Sequence, residues 1–79
     1  MAEKQTAVAD WRRYVVSTPG VLGGKPRIDG TRIPVALILG YLAAGNSHEE
    51  IIDAFPDLLP EHIAACLDYA RDLAEYQVV

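Results

Sequence analysis

The spacing of apolar positions changes character along the chain. Up to residue 34 they come in short runs cut by Gly and Pro; beyond it they recur every three or four residues. Residues 1–10 show no periodicity and read as a flexible arm ahead of a single domain over residues 11–79. Tyr14-Val15-Val16 is a short β-prone run. Ser17-Thr18-Pro19-Gly20 stops it, and Gly23-Gly24-Lys25-Pro26 reads as a loop. Arg27-Ile28, Asp29-Gly30 and Thr31-Arg32-Ile33 then predict a β-hairpin over about 26–34. Asp-Gly suits a type I′ turn, which needs positive φ at both central residues. That register sets Ile28 opposite Thr31 and Arg27 opposite Arg32. Pro26, Ile28, Thr31 and Ile33 then share a core face, and the two arginines share the other.

Three helices follow. Pro34 fits the first turn of a helix over about 35–44, VALILGYLAA, with Gly45 as its stop. This segment is apolar on every side, which predicts burial on all faces, in the centre of the fold or in a subunit interface. Ser47 and Glu50 form a capping box that opens a helix over about 48–55, ended by Pro56. Pro60 opens the last helix, over about 60–76, with Glu61 at the positive end of its dipole. Ile63, Cys66, Leu67, Ala70, Leu73 and Ala74 recur at helical spacing, with Asp68, Arg71, Asp72 and Glu75 elsewhere on its surface.

Composition narrows the class. With 51% hydrophobic and 23% charged residues, the chain does not have the make-up of a disordered protein. Its longest uncharged stretch, Ile33 to His48, is broken by Pro34, Gly40, Gly45 and Asn46, so no membrane span is expected. The N-terminus has no apolar leader-like run, and the expected location is cytoplasmic. Area scaling implies burial of roughly 7,800 Å² on folding. If about 60% of that is apolar, it contributes on the order of 120 kcal/mol. Ordering the chain costs about the same, at roughly 1.5 kcal/mol per residue. A core this marginal favours a homodimer or higher oligomer, or an obligate complex.

The net charge of −4 is unevenly spread: residues 1–44 carry +3 and residues 45–79 carry −7. A strongly acidic half suits a basic partner, and the basic groups of the first half suit an anion.

Nothing in the pattern predicts an enzyme, a cofactor or a metal. Cys66 is the only thiol and lies on the apolar face of the last helix, where a small buried hydrophobe is expected. His62, four residues earlier, is within helical reach of it, but no lowered thiol pKa is implied. Two His and one Cys fall short of a zinc ligand set. Glu49-Glu50 and the Asp68/Asp72 pair read as solvated faces. The Gly23-Gly24-Lys25-Pro26 loop lacks the Ser/Thr and helix of a phosphate-binding P-loop. The last two helices have helix-turn-helix spacing, yet among Glu61, His62, Ala64, Ala65 and Asp68 only His62 is a plausible donor to base edges. Arg27 and Arg32, placed opposite each other, repel unless something neutralises both. That counter-charge is either a bound anion, phosphate or carboxylate, or an acidic residue of the last two helices.

The run Gly24-Lys25-Pro26-Arg27-Ile28-Asp29-Gly30-Thr31-Arg32-Ile33-Pro34-Val35 resembles the GKPxIxGTRIPV segment of the domain-of-unknown-function family 433. Ala44-Gly45-Asn46-Ser47 is similar to its AAGxS, Glu49-Glu50-Ile51 to its EEI, Phe55-Pro56-Asp57-Leu58 to its aromatic-Pro-x-Leu, and Pro60-Glu61-His62-Ile63 to its PEDI. The resemblance covers about residues 14–72. It implies a mainly α, three-helix homeodomain-like or winged-helix-like helix-turn-helix domain with a small N-terminal β-hairpin. It also implies kinship with antitoxins that pair with PIN-type toxin ribonucleases. One position departs from the pattern. The family places Ser or Thr before the Pro-Glu of the last helix, where this chain has Leu59; a missing cap costs about 1 kcal/mol unless Asp57 substitutes.

The expected function is therefore a non-enzymatic, dimeric antitoxin-like protein that binds a toxin ribonuclease, with operator DNA as a second candidate ligand. The alternative is a small homo-oligomeric interaction module without nucleic-acid binding. Lys25, Arg27 and Arg32 are the candidate anion contacts, with Arg12 and Arg13 adding positive field. Val35, Leu37, Ile38 and Tyr41 are the candidate dimer or partner surface.

Overall fold

The structure, a computed structural model, describes residues 10–76. The expected arm over residues 1–10 lies outside them except for Asp10. That residue is already ordered: its side chain accepts a 3.1 Å hydrogen bond from the Arg12 amide and caps a 3-10 turn, Trp11–Arg13. Two short strands follow, β1 (Val15–Val16) and β2 (Arg27–Ile28), joined through a second 3-10 turn at Leu22–Gly24. Helices α1 (Val35–Ala43), α2 (His48–Ala54) and α3 (Pro60–Tyr76) complete a mainly helical domain with a small two-stranded antiparallel sheet.

The sheet is not the expected one. The ladder partner of β2 is β1, with Val15 opposite Ile28 and Val16 opposite Arg27. The segment after the Asp29-Gly30 turn does return along β2, but two residues out of the expected register. Arg27 bridges to Pro34 rather than Arg32, and the Ile28 amide donates to the Ile33 carbonyl at 3.0 Å. The loop is therefore four residues long, and φ is positive at Gly30 (+81°) but not at Asp29, so the turn is not type I′. Thr31 explains the wider loop. Its hydroxyl donates to the Ile28 carbonyl at 2.8 Å, beside the Thr31 amide at 3.0 Å, and accepts from the Ile33 amide at 3.0 Å.

Pro34 stands at the N-cap of α1, just ahead of the first turn, and the Val35 amide donates to the Pro26 carbonyl at 3.0 Å. One orphan donor of the helix is thus satisfied by the strand segment. The helix is not buried on all sides. Val35 and Ile38 are enclosed, Leu39, Tyr41 and Leu42 are half-buried, and Ala36, Leu37, Gly40 and Ala43 are exposed. The capping box on α2 is present as expected: Ser47 Oγ accepts from the Glu50 amide at 3.1 Å, and Glu50 Oε1 from the Ser47 amide at 2.7 Å.

The core gathers Val15, Ile28, Val35, Ile38, Ile51, Leu58, Ile63, Ala65 and Cys66, one or more from every strand and helix. A second layer of packing ties the N-terminal segment to α3. The Trp11 ring meets Tyr69 edge-on at 4.8 Å, Tyr14 meets His62 at 5.6 Å, and across α1 and α2 Tyr41 meets Phe55 at 5.3 Å.

Candidate functional site

Arg27 and Arg32 share one surface cavity of about 310 Å³, completed by Val21, Gly30 and Thr31. They reach it although they do not stand opposite each other in the sheet. Arg27 is half-buried on β2 and donates from Nη2 to Thr18 Oγ1 at 3.2 Å. Its Nε and Nη1 are enclosed and have no hydrogen-bond partner. Arg32 is exposed at the end of the four-residue loop. Among the described residues neither arginine forms a salt bridge, so no acid of α2 or α3 supplies the counter-charge.

The other basic candidates separate from this pair. Arg12 is engaged within the chain: it lies 3.7 Å from Asp72 and 3.9 Å from Asp10, and its guanidinium sits 4.6 Å from the centre of the Trp11 ring. Its side chain nonetheless stays 64% exposed. Arg13 is exposed and lines none of the cavities described here. Lys25 is exposed and edges a different cavity of about 270 Å³, whose wall is otherwise apolar: Pro26, Pro34, Val35, Ala36, Leu39, Tyr69 and Leu73.

The four residues expected at a partner surface divide. Val35 and Ile38 fill the chain's own core, which takes them out of any interface of the folded domain. Leu37, 40% exposed, and Tyr41 line the outer face of α1 with Ala36, Gly40, Ala44 and Asn46, a shallow apolar depression of about 380 Å³. Gly40 faces open space there, so its missing side chain leaves room for close approach from outside.

Asp68 and Asp72 are not a solvated face. Their side chains are 11% and 24% exposed, and they anchor the N-terminal segment. Asp68 accepts from the Trp11 amide at 3.1 Å and pairs with Arg71 at 2.7 Å; Asp72 accepts from Trp11 Nε1 at 2.7 Å. Their i, i+4 spacing puts them on one helical face. No feature of the sequence says that Trp11 lies against that face.

His62 is committed as well. Its Nδ1 accepts from the Leu59 amide at 2.9 Å, while the His62 amide donates to the Leu59 carbonyl at 2.9 Å. Leu59 is the residue before α3 and His62 the third within it, so the imidazole takes the part that Glu plays in a capping box. The donor that a Ser/Thr side chain would take, the His62 amide, is met by the Leu59 carbonyl instead, and Asp57 makes no hydrogen bond to either. The bond from the Leu59 amide occupies Nδ1, the nitrogen that accepts, which removes it as a base for Cys66 and leaves the proton on Nε2. Cys66 is fully buried, and burial pushes its thiol from 9.0 up to about 11, the reverse of what a nucleophile needs. Among the described residues no group of three or more His, Cys, Asp and Glu side chains could hold a metal, and no helix is long and apolar enough to cross a membrane.

Fold and site together define a small three-helix domain with an N-terminal sheet and a two-arginine cavity at its loop. The chain belongs to the DUF433 family, described as proteins of unknown function, whose signature matches residues 15–70. It is 39% identical over 70 residues to the uncharacterized protein y4eO of Sinorhizobium fredii (strain NBRC 101917 / NGR234). That match takes in 89% of this chain but only 32% of the relative's length. A crystal structure of a DUF433 member protein from Anabaena variabilis ATCC 29413 superimposes with a TM-score of 0.72 at 35% identity, covering 78% of this chain and 61% of that one.

Proposed function

We propose that this chain is a non-enzymatic binding subunit of the antitoxin type, which pairs with a copy of itself and holds a basic toxin ribonuclease of the PIN type. The observation that carries this reading is the outer face of α1: Ala36, Leu37, Gly40, Tyr41 and Ala44 form a solvent-facing apolar strip on a helix whose other side is core. A second copy covers that strip. The acidic half then remains outward for a basic enzyme, because Glu49, Glu50, Asp53, Asp57, Glu61 and Glu75 are all exposed and none forms a salt bridge among the described residues. The kinship with antitoxins that the motif run implies supports the same reading.

Operator DNA is the finer part of this proposal. Arg13, Lys25, Arg27 and Arg32 are the basic groups left for it, since Arg12 is engaged with Asp72. The alternative, an interaction module that binds no nucleic acid, draws its support from the engagement of Arg12 with Asp72 and from the net charge of −4. A salt titration separates the two, because phosphate contacts by several Arg/Lys make affinity fall steeply with salt.

The test is co-expression with the adjacent open reading frame, followed by size-exclusion chromatography with light scattering. The expected outcome is a stable complex in which the neighbour's ribonuclease activity is masked. A homodimer that ignores its neighbour overturns the toxin-binding part, and a monomer at high concentration overturns the role given to α1.

A further inference from the structure

We propose that the Arg27–Arg32 cavity is a binding site for a small phosphate monoester. The inference is independent of the toxin-binding reading above, which concerns α1 and the acidic half, and it competes with operator DNA for Arg27 and Arg32.

The first support is an unmet demand. Arg27 is cationic and half-buried, yet its guanidinium makes one hydrogen bond, to Thr18 Oγ1, while Nε and Nη1 lie enclosed with no acceptor. Stripping water from charged donors without replacing it is costly. The great majority of buried polar atoms in folded proteins have partners, so an orphaned pair on one guanidinium calls for an explanation. No carboxylate lines the cavity. Rotation of the side chain into the cavity that it lines exchanges one neutral 3.2 Å bond for a charge-assisted fork to an oxyanion.

The second support is charge count. Arg32 lines the same cavity and has no salt bridge among the described residues, so two cationic residues border one space. A phosphate monoester carries close to two negative charges at neutral pH and offers three acceptor oxygens. It can satisfy both forks, whereas a single carboxylate satisfies one and leaves the other.

The third is shape and field. A cavity of about 310 Å³ stands at the small end of ligand sites. With a net charge of −4 and the exposed acids of α2 and α3, the chain repels an extended polyanion more than a single phosphate held in this cavity. The wall is also firm. Thr31 spends its hydroxyl on Ile28 and Ile33, and the Asp29 amide donates to the Tyr14 carbonyl at 2.8 Å, so the loop is tied down on both flanks.

The test is NMR titration of the full chain at constant ionic strength with inorganic phosphate, a nucleoside monophosphate, acetate, chloride and a short DNA duplex. Saturable shifts are expected for the Gly30, Thr31 and Arg32 amides and for the Arg27 Nε–H with both phosphates. Tighter binding of the nucleoside monophosphate assigns a phosphate terminus of a larger molecule; equal binding assigns free phosphate. Arg32→Gln, at an exposed position, should keep the spectrum of the folded chain and weaken phosphate by about tenfold or more. Arg27→Lys tests the fork with the charge retained and is expected to weaken binding to a similar degree. Shifts that grow linearly and match chloride overturn the site. Acetate binding as tightly as phosphate overturns the ligand class. So does duplex DNA binding through the same amides with a steep salt dependence.

Discussion

At the start of α3, a backbone carbonyl and the His62 side chain share the work of a missing cap. Leu59 cannot cap α3, and the imidazole supplies an acceptor for the Leu59 amide from three residues downstream. His62→Ala should lower stability by about 1 kcal/mol, the usual worth of a cap. His62→Gln should restore most of it, because Gln reaches back in the same way. Urea denaturation of both variants checks this; equal losses would mean that packing on Tyr14 is what counts. Cys66 gives a pH dependence of known sign. Its folded thiol titrates near 11 against 9.0 for an exposed thiol, so the folded state holds its proton more tightly. The stability this confers is complete below pH 9 and is lost as pH rises from 9 toward 11. Cys66→Ala should remove that part of the alkaline decline, measured as midpoint against pH. Alkylation of the native thiol should be slow and keep pace with unfolding.

At the scale of elements, the docking of the Trp11–Arg13 turn on α3 has no counterpart in local sequence. Two carboxylates on the inner flank of α3 hold Trp11 by its amide and its indole N–H. Trp11→Phe keeps most of the ring and deletes the bond to Asp72, leaving that carboxylate short of a donor. A loss of about 1–3 kcal/mol is expected. In the double variant with Asp72→Leu most of it should return, since both polar partners are then gone. A double-mutant cycle by thermal or urea unfolding reads the coupling. Capping and helix ends were legible here: Ser47, Glu50, Pro56 and Pro60 act locally, and α2 and α3 begin where those residues place them. The strand register was not, because the threonine hydroxyl that adds a bond to the Ile33 amide leaves no period in the pattern.

For the molecule as a whole, the question is what the outer face of α1 meets. Leu37→Glu places a charge on that face at a 40% exposed position and away from the core. It should leave the unfolding midpoint within about 0.5 kcal/mol of the parent. It should shift light-scattering mass toward the monomer. If the oligomer survives, the second copy sits elsewhere. Val35 and Ile38 serve as the contrast, since truncating either opens the core and should cost about 2–5 kcal/mol for Ile38→Ala. The all-apolar character of α1 predicted burial on every face, and the structure buries only one side of it. Which side was which depended on where α2 and α3 crossed it.

The sequence by itself determined the three helices, the capping box on α2, the small strand region, the burial of Cys66 and the family, because each rests on local chemistry or on a contiguous run of residues. Tertiary structure decided the strand partner of β2, the engagement of Arg12, Asp68, Asp72 and His62, the division of α1 into core and outer faces, and the meeting of Arg27 with Arg32 in one cavity. These depend on contacts between residues far apart in the chain, or on a loop whose length is set by one hydroxyl. Periodicity reports which face an element buries; it carries no information about the group that face will meet.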